Sequence, residues 1–265
     1  MDAQVVAELP KGLVGITVQE IKHFNNELFS FKTKRPPNFR FRAGEFAMIG
    51  LMVDRKPLLR AYSIASPTWS DTLEFYSIKV PGGPLTSRLQ HIAEGDQIVM
   101  RPKPVGTLVL DALLPAERLF MFSTGTGVAP FASLIREPEV YDIFEKVLLI
   151  HTTRNTVELS YGFEIFDDAT QNELLSELVD GKLVHLACTT REQSPSMGRI
   201  NTWIEDGKLT KFADDRPLNP VTDRVMICGS VEFLKTMKSL CEELGFEEGS
   251  NSSPGQYVIE RAFAE

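Results

Sequence analysis

Ser123-Thr124-Gly125-Thr126-Gly127-Val128-Ala129-Pro130-Phe131 stands directly behind the apolar run Arg118-Leu119-Phe120-Met121-Phe122 and opens a segment of helical character. An apolar strand, a glycine-rich turn and a helix, in that order, make the first βα unit of a parallel sheet. In such a unit the backbone N–H groups and the helix dipole converge on one point, where a pyrophosphate can be held. Gly125 and Gly127 leave no Cβ between that point and the main chain. The segment is not the GxGxxG fingerprint, so it fits either a phosphate cradle or a tight structural turn.

Reading outward from this stretch, further runs apolar on both faces follow at 146–151, 183–189 and 224–228. Segments with helical character separate them, around 128–136, 161–178, 199–206 and 231–244. This alternation predicts an α/β doubly wound parallel sheet, whose strands are buried on both sides. Upstream the period changes. Short β-rich runs at 13–24, 28–35, 45–53, 60–66, 72–80 and 97–103, with one short helix over 85–92, predict a small antiparallel β-barrel. The chain therefore reads as two domains, a barrel over 1–112 and a sheet over 113–265, meeting near Asp111–Pro115. Residues 247–254 read as a polar surface loop.

Composition narrows the chemistry. At 265 residues, 43% hydrophobic and 24% charged, the chain has ordinary globular proportions. No stretch approaches the roughly 20 apolar residues of a membrane span, and the N-terminus shows no secretory pattern, so the expected location is the cytoplasm, with no membrane partner. Cys188, Cys228 and Cys241 form no CxxC pair, which speaks against a disulfide framework, a structural zinc site or an iron–sulfur cluster. His23, His91, His151 and His185 lack metal-ligand spacing and read as structural, so no metal is expected. Redox chemistry here would need a bound organic cofactor. The net charge of −8 argues against nucleic-acid binding, but it is uneven. Residues 1–112 carry 14 Lys and Arg against 11 Asp and Glu, whereas residues 113–265 carry 14 against 25. Within 32–60, Lys32, Lys34, Arg35, Arg40, Arg42, Arg55, Lys56 and Arg60 face only Glu45 and Asp54. This stretch is either a docking surface for an acidic partner or a solvated barrel surface.

Two more segments bear on ligands. Gly82-Gly83-Pro84-Leu85-Thr86-Ser87-Arg88 places two hydroxyls in the first turn of the expected helix, suiting a second phosphate cradle or an ordinary N-cap. Arg60-Ala61-Tyr62-Ser63 puts an arginine and a tyrosine on one face of a strand, either a stacking platform beside an anion or a core tyrosine beside a surface arginine.

These motifs, together with Val80-Pro81 before the second cradle and Cys228-Gly229-Ser230, resemble the ferredoxin–NADP⁺ reductase superfamily in order and spacing over almost the whole chain. The ending Tyr257-Val258-Ile259-Glu260-Arg261-Ala262-Phe263-Ala264-Glu265 resembles the bacterial subclass. The resemblance implies a FAD-binding barrel and an NADP(H)-binding sheet. On the FAD side it implies Arg60 at the pyrophosphate, with Ala61 beside it, Tyr62 against the isoalloxazine and Ser63 near flavin N5. Ile78, Lys79, Val80, Pro84 and Leu85 would complete that side, Thr86 and Ser87 would hold the phosphates, and Thr126 would reach the flavin. On the other side it implies Gly125, Thr126 and Gly127 at the NADP(H) pyrophosphate and Cys228, Gly229 and Ser230 beside the nicotinamide. Ser63, Cys228 and Glu260 would be the catalytic residues, Glu260 through proton movement. Where plastid relatives end in a tyrosine over the flavin, this chain has Ala262 and three further residues. Its tail would return to the FAD, with Phe263 on the adenine.

Charge gives the choice of dinucleotide. Thr153-Arg154 and Thr190-Arg191 follow the second and third strands of the parallel half, and Arg199 comes eight residues after Arg191. Arginines at matching strand ends suit a 2′-phosphate, which favours NADP over NAD; surface arginines without a ligand are the alternative. The expected activity is electron transfer between NADP(H) and ferredoxin or flavodoxin through hydride transfer at FAD N5. The expected enzyme is a monomer whose acidic carrier docks near 32–60. The rivals are an NAD(P)H-dependent flavin or oxygenase reductase component and a non-catalytic nucleotide-binding subunit.

Overall fold

Period-two alternation in the N-terminal half produces six antiparallel strands in the computed structural model, which describes residues 9–261. They are β1 (Val14–His23), β2 (Leu28–Lys34), β3 (Phe46–Val53), β4 (Lys56–Ser63), β5 (Thr72–Ile78) and, after the short helix α1 (Thr86–Leu89), β6 (Gln97–Met100). Their order is β4-β3-β6-β1-β2-β5. The two edge strands then meet. Ala65 N–H donates to the Glu74 carbonyl at 2.8 Å, and the Tyr62 and Ser77 hydroxyls share a hydrogen bond of 3.0 Å. A register shift between Val18 and Glu20 adds twist, and the sheet curls around Phe29, Phe31, Ile49, Phe75 and Leu89.

The second half is a five-stranded parallel sheet of β7 (Arg118–Thr124), β8 (Lys146–Thr153), β9 (Leu183–Thr189), β10 (Asp223–Gly229) and β11 (Tyr257–Arg261), in the order β11-β10-β7-β8-β9. Its helices are α2 (Ala129–Leu134), α3 (Pro138–Ile143), α4 (Ser160–Gln171), α5 (Ser176–Val179), α6 (Ile200–Glu205) and α7 (Val231–Glu243). Alternate residues along each strand face opposite layers. Leu119, Met121 and Cys228 pack towards α2, α4 and the barrel, while Phe120, Phe122 and Ile227 pack under α6 and α7. The expected two-sheet architecture is the one found.

Two details differ from the sequence reading. The helix expected over 161–178 breaks at Asn172, whose side chain accepts from Leu174 N–H at 2.9 Å while its carbonyl accepts from Ser176 N–H at 2.8 Å. The segments α3 and β11 appear in addition. Residues 247–254 form the polar surface loop expected, and its main chain is tied down on both sides. Gly249 N–H reaches the Tyr257 carbonyl at 2.7 Å, Gly255 N–H reaches Ala112 at 3.1 Å, and Asn251 donates to the Gly106 carbonyl at 2.8 Å. The loop thereby laces the sheet to the barrel.

Two buried ion pairs set the frame. Arg118 and Asp223 begin the central strands β7 and β10, and Nε and Nη2 of the arginine meet the two carboxylate oxygens at 2.7 Å each. This clamp sits at the strand N-termini and leaves the opposite, carboxyl ends free. Arg136, just beyond α2, donates to the Ala65 carbonyl of the barrel at 2.7 Å and lies 3.3 Å from the buried Glu74 carboxylate, which also accepts from the Tyr161 hydroxyl at 3.1 Å. Tyr161 in turn stacks on Tyr76 of the barrel with ring centroids 4.0 Å apart. Barrel and sheet share a fixed, partly apolar seam.

Candidate functional site

The order of the parallel strands reverses between β7 and β10, and a crevice opens where the carboxyl ends of such strands diverge. Thr124 ends β7, and its Oγ1 accepts from the Ser230 N–H at 3.3 Å across the gap. Ser230 is the N-cap of α7, its hydroxyl accepting from Phe233 N–H. Gly125 takes φ +54°, and the space where a Cβ would stand is open. Gly127 is close-packed: a Cβ there would lie 2.4 Å from the Cys228 carbonyl oxygen. The loop therefore presents bare main chain to the crevice while its back is pressed onto β10. An anion is the chemistry such a cradle suits.

A cleft of about 440 Å³ runs from this point past the ends of β8 and β9, bringing together Arg154, Thr190, Arg191, Arg199 and Ser230. The three arginines are exposed. Their loops are tied to each other: Thr190 N–H donates to the Thr153 carbonyl at 2.9 Å, Arg191 N–H to the Arg154 carbonyl at 3.0 Å, and Thr156 N–H to the Glu192 carboxylate at 2.7 Å. Three guanidinium groups around one opening suit a phosphate better than a bare ribose. Thr124 and Thr152 also line the cleft, as do Asn201 and Phe233, which were missing from the sequence reading. Only the serine cap at Ser230, which starts a helix there, gave a hint of them. Gly125, Thr126 and Thr153 line instead an adjoining cleft of about 240 Å³, whose far wall is Glu27, Leu28 and Ile78 of the barrel. The Thr153 hydroxyl is occupied by the Asn155 carbonyl at 2.8 Å.

On the barrel, Tyr62 is half-buried at the margin rather than in the core. Its ring meets the edge of Phe75 at 6.4 Å, and burial pushes its phenol up, offset in part by Ser77 and Arg60. Arg60 donates to the Leu59 carbonyl through Nη1 at 2.8 Å, which leaves further donors for an anion. Ala61 and Ser63 are half-buried on the same strand. The N-cap of α1 is Leu85, and no side chain caps it, so Thr86 and Ser87 are not ordinary capping residues. Thr86 Oγ1 reaches the Val80 carbonyl at 3.4 Å. Leu85 is buried in the barrel core. Lys79 N–H is held by the Glu27 carbonyl at 2.6 Å, and Val80 and Pro84 are exposed.

Cys228 and Glu260 are register partners on β10 and β11, so their side chains lie next to each other on the barrel-facing side. Burial, then the neighbouring Glu260, holds the Cys228 thiol well above its usual range. Burial also pushes the Glu260 carboxyl up to about 7; the Thr107 N–H, 2.9 Å from its Oε2, opposes this and Glu45 adds to it. Ala262 and Phe263 lie outside the described residues.

The basic stretch is less free than its sequence implies. Arg35 donates to the carbonyls of Phe39, Thr68 and Ser70 and ties loops together. Arg42 is held by Glu45 and Asp111, and Lys32 by Glu20. Among the described residues no helix is long and apolar enough to cross a membrane.

Comparison with known proteins fits this geometry. Residues 15–109 match the family model of the oxidoreductase FAD-binding domain. A flavodoxin/ferredoxin–NADP reductase of Rhodobacter capsulatus is 53% identical over 248 residues, 93% of this chain and 92% of that protein. A ferredoxin–NADP reductase of Azotobacter vinelandii is 49% identical over 249 residues, 94% of this chain and 96% of that protein. The solved structure of a ferredoxin NADP⁺ reductase from Neisseria gonorrhoeae with bound FAD and NADP superposes with a TM-score of 0.85 at 28% identity, covering 96% of this chain and 100% of that one.

Proposed function

The chain belongs to the ferredoxin–NADP reductase family, and on that premise we propose that it carries electrons between NADP(H) and ferredoxin or flavodoxin with FAD as its cofactor. The observation that carries this reading is the crevice at the strand reversal: bare glycine main chain, three arginines and a barrel wall converge there. In this reading residues 1–112 hold FAD and residues 113–265 hold NADP(H). When bound, FAD supplies hydride exchange at N5 and the passage from paired to single electrons.

The residues of the chain supply the rest. Arg60 neutralises the FAD pyrophosphate, the Thr86 and Ser87 hydroxyls donate to it, and Tyr62 gives a flat face fixed by Ser77 and Phe75. Gly125 to Gly127 donate main-chain N–H groups to the dinucleotide pyrophosphate, while Arg191 and Arg199 take the 2′-phosphate with Arg154 and Thr190 beside them. Cys228, kept as a neutral thiol, walls the nicotinamide pocket without acting as a nucleophile. Glu260, poised near neutrality, exchanges a proton beside that pocket, with Ser63 on the barrel side. The carrier docks through the cations of the 32–60 stretch that remain unengaged, Arg55 and Lys56 on the β3–β4 turn among them. The enzyme works as a monomer in the cytoplasm.

The test is steady-state reduction of ferredoxin or flavodoxin by the FAD-loaded protein, with NADPH and NADH compared. The reading predicts carrier reduction with kcat/KM for NADPH at least about a hundredfold above NADH, from two to three kcal/mol of phosphate recognition. Equal use of NADH would favour an oxygenase or flavin reductase instead. Carrier reduction should also slow with rising salt while ferricyanide reduction changes little; an equal response would remove the docking surface.

A further inference from the structure

We propose that His151 is a positioning residue for the dinucleotide: its Nε2–H holds the Gly125 carbonyl and thereby aims the Thr126 N–H into the crevice. This rests on the reading of that crevice as the NADP(H) site.

His151 stands in the strand run Leu148-Leu149-Ile150 and is fully buried. Pairing of Ser123 with His151 in the β7–β8 ladder brings the ring beneath the loop that begins two residues further on. Nε2 lies 3.0 Å from the Gly125 carbonyl oxygen. A carbonyl only accepts, so Nε2 carries the proton and Nδ1 is bare. Burial keeps the ring neutral, pushing it down to about 3, and the nearby His185 adds to this. Nδ1 has no partner among the described residues. It points at Gly162, where a Cβ would lie only 2.4 Å away. His185 lies alongside with ring centroids 6.5 Å apart, and Phe166 packs against His185.

A leucine or phenylalanine would suit this apolar position without burying a bare nitrogen. What the histidine adds is the bond on its other side. Gly125, at φ +54°, opens the 3₁₀ turn Gly125–Val128 and has no side chain of its own to hold its peptide. The Gly125 carbonyl and the Thr126 N–H belong to one planar peptide and point in opposite directions. Anchoring the oxygen from beneath therefore fixes the N–H towards the cleft that Thr126 lines between sheet and barrel. Charge-assisted donation to a pyrophosphate is the interaction this orientation favours.

Three substitutions separate this role from packing. H151F keeps bulk and loses the donor. H151N keeps a polar group but stops at the Nδ1 position. H151Q carries an amide Nε2–H to the reach of the histidine Nε2. Each FAD-loaded variant is titrated with NADP⁺ by flavin difference spectrum, and inhibition by 2′-AMP, which has the 2′-phosphate but no pyrophosphate, is measured beside it. The proposal predicts NADP⁺ binding and NADPH KM weakened roughly tenfold in H151F and H151N, restored to within about threefold in H151Q, with 2′-AMP inhibition unchanged throughout. Wild-type NADP⁺ affinity in H151F, H151Q no better than H151N, or parallel loss of 2′-AMP affinity would overturn it. Should H151F fail to fold, H151Q against H151N gives the same decision. A wild-type protein that does not bind NADP⁺ would instead remove the functional reading, and this inference with it.

Discussion

Replacing Glu260 by glutamine tests how the site handles charge, and the magnitude follows from the fold. The carboxyl is pushed from its ordinary 4.5 up to about 7, chiefly by burial against β10 and the barrel. A shift of that size penalises the charged form by roughly 3 kcal/mol. In the unfolded chain the group ionises near 4.5, whereas in the folded chain it keeps its proton until about 7. Between those values the native state holds the extra proton, so its stability falls as pH rises through that window and is level above it. Glutamine has the shape of the neutral acid and can still accept from the Thr107 N–H. E260Q and the parent should therefore unfold alike at pH 4 and diverge by roughly 3 kcal/mol in favour of the variant at pH 8. Urea unfolding of both proteins across that range measures the difference directly. A difference independent of pH, or one favouring the parent at pH 8, would refute the buried-carboxyl account.

Other outcomes follow from the same geometry. Alanine at Arg191 and Arg199 together should raise the NADPH KM about a hundredfold, from about 1–2 kcal/mol for each phosphate contact, and change NADH kinetics by less than about threefold; equal losses with both nucleotides would contradict 2′-phosphate recognition. R136A should cost about 3–5 kcal/mol in thermal or urea unfolding because it strands the buried Glu74 carboxylate at the barrel–sheet seam, and R136M/E74Q should recover part of it; a cost below about 1 kcal/mol would show that the pair is not desolvated. The three cysteines are buried, with Cys188 and Cys241 pushed up to about 12 and Cys228 held well above its usual range, so a thiol reagent at pH 8 should label none until the protein unfolds. Stoichiometric labelling of native protein would contradict the placement of Cys228 as a buried wall.

Much of this architecture was legible because strand period and glycine placement are local signals. The change from alternating runs to doubly apolar runs separates barrel from sheet, and Gly125-Thr126-Gly127 marks the crevice in the sequence itself. Features that depend on long-range pairing were not legible. The six-residue α3, opened by Pro138, and the break at Asn172 escaped for another reason: they are single-turn features too short to show a period. β11 is a strand because Val225 to Gly229 offer it a parallel partner, which its mixed sequence does not announce. Arg35 and Arg42 read as free surface charge, but chain folding brought carbonyls and carboxylates to them. His151 read as a structural histidine because its partner, Gly125, lies 26 residues away and meets it only through the register of β7 and β8.

The central claim is that FAD lies against Tyr62 and takes electrons from NADPH held at the Gly125–Gly127 loop. An anaerobic titration of the FAD-loaded protein, followed by visible absorbance, addresses it directly. Bleaching of the flavin band by one equivalent of NADPH, with NADH far slower, is the predicted result. A folded protein that stays colourless with added FAD, or whose flavin is untouched by NADPH, would contradict it.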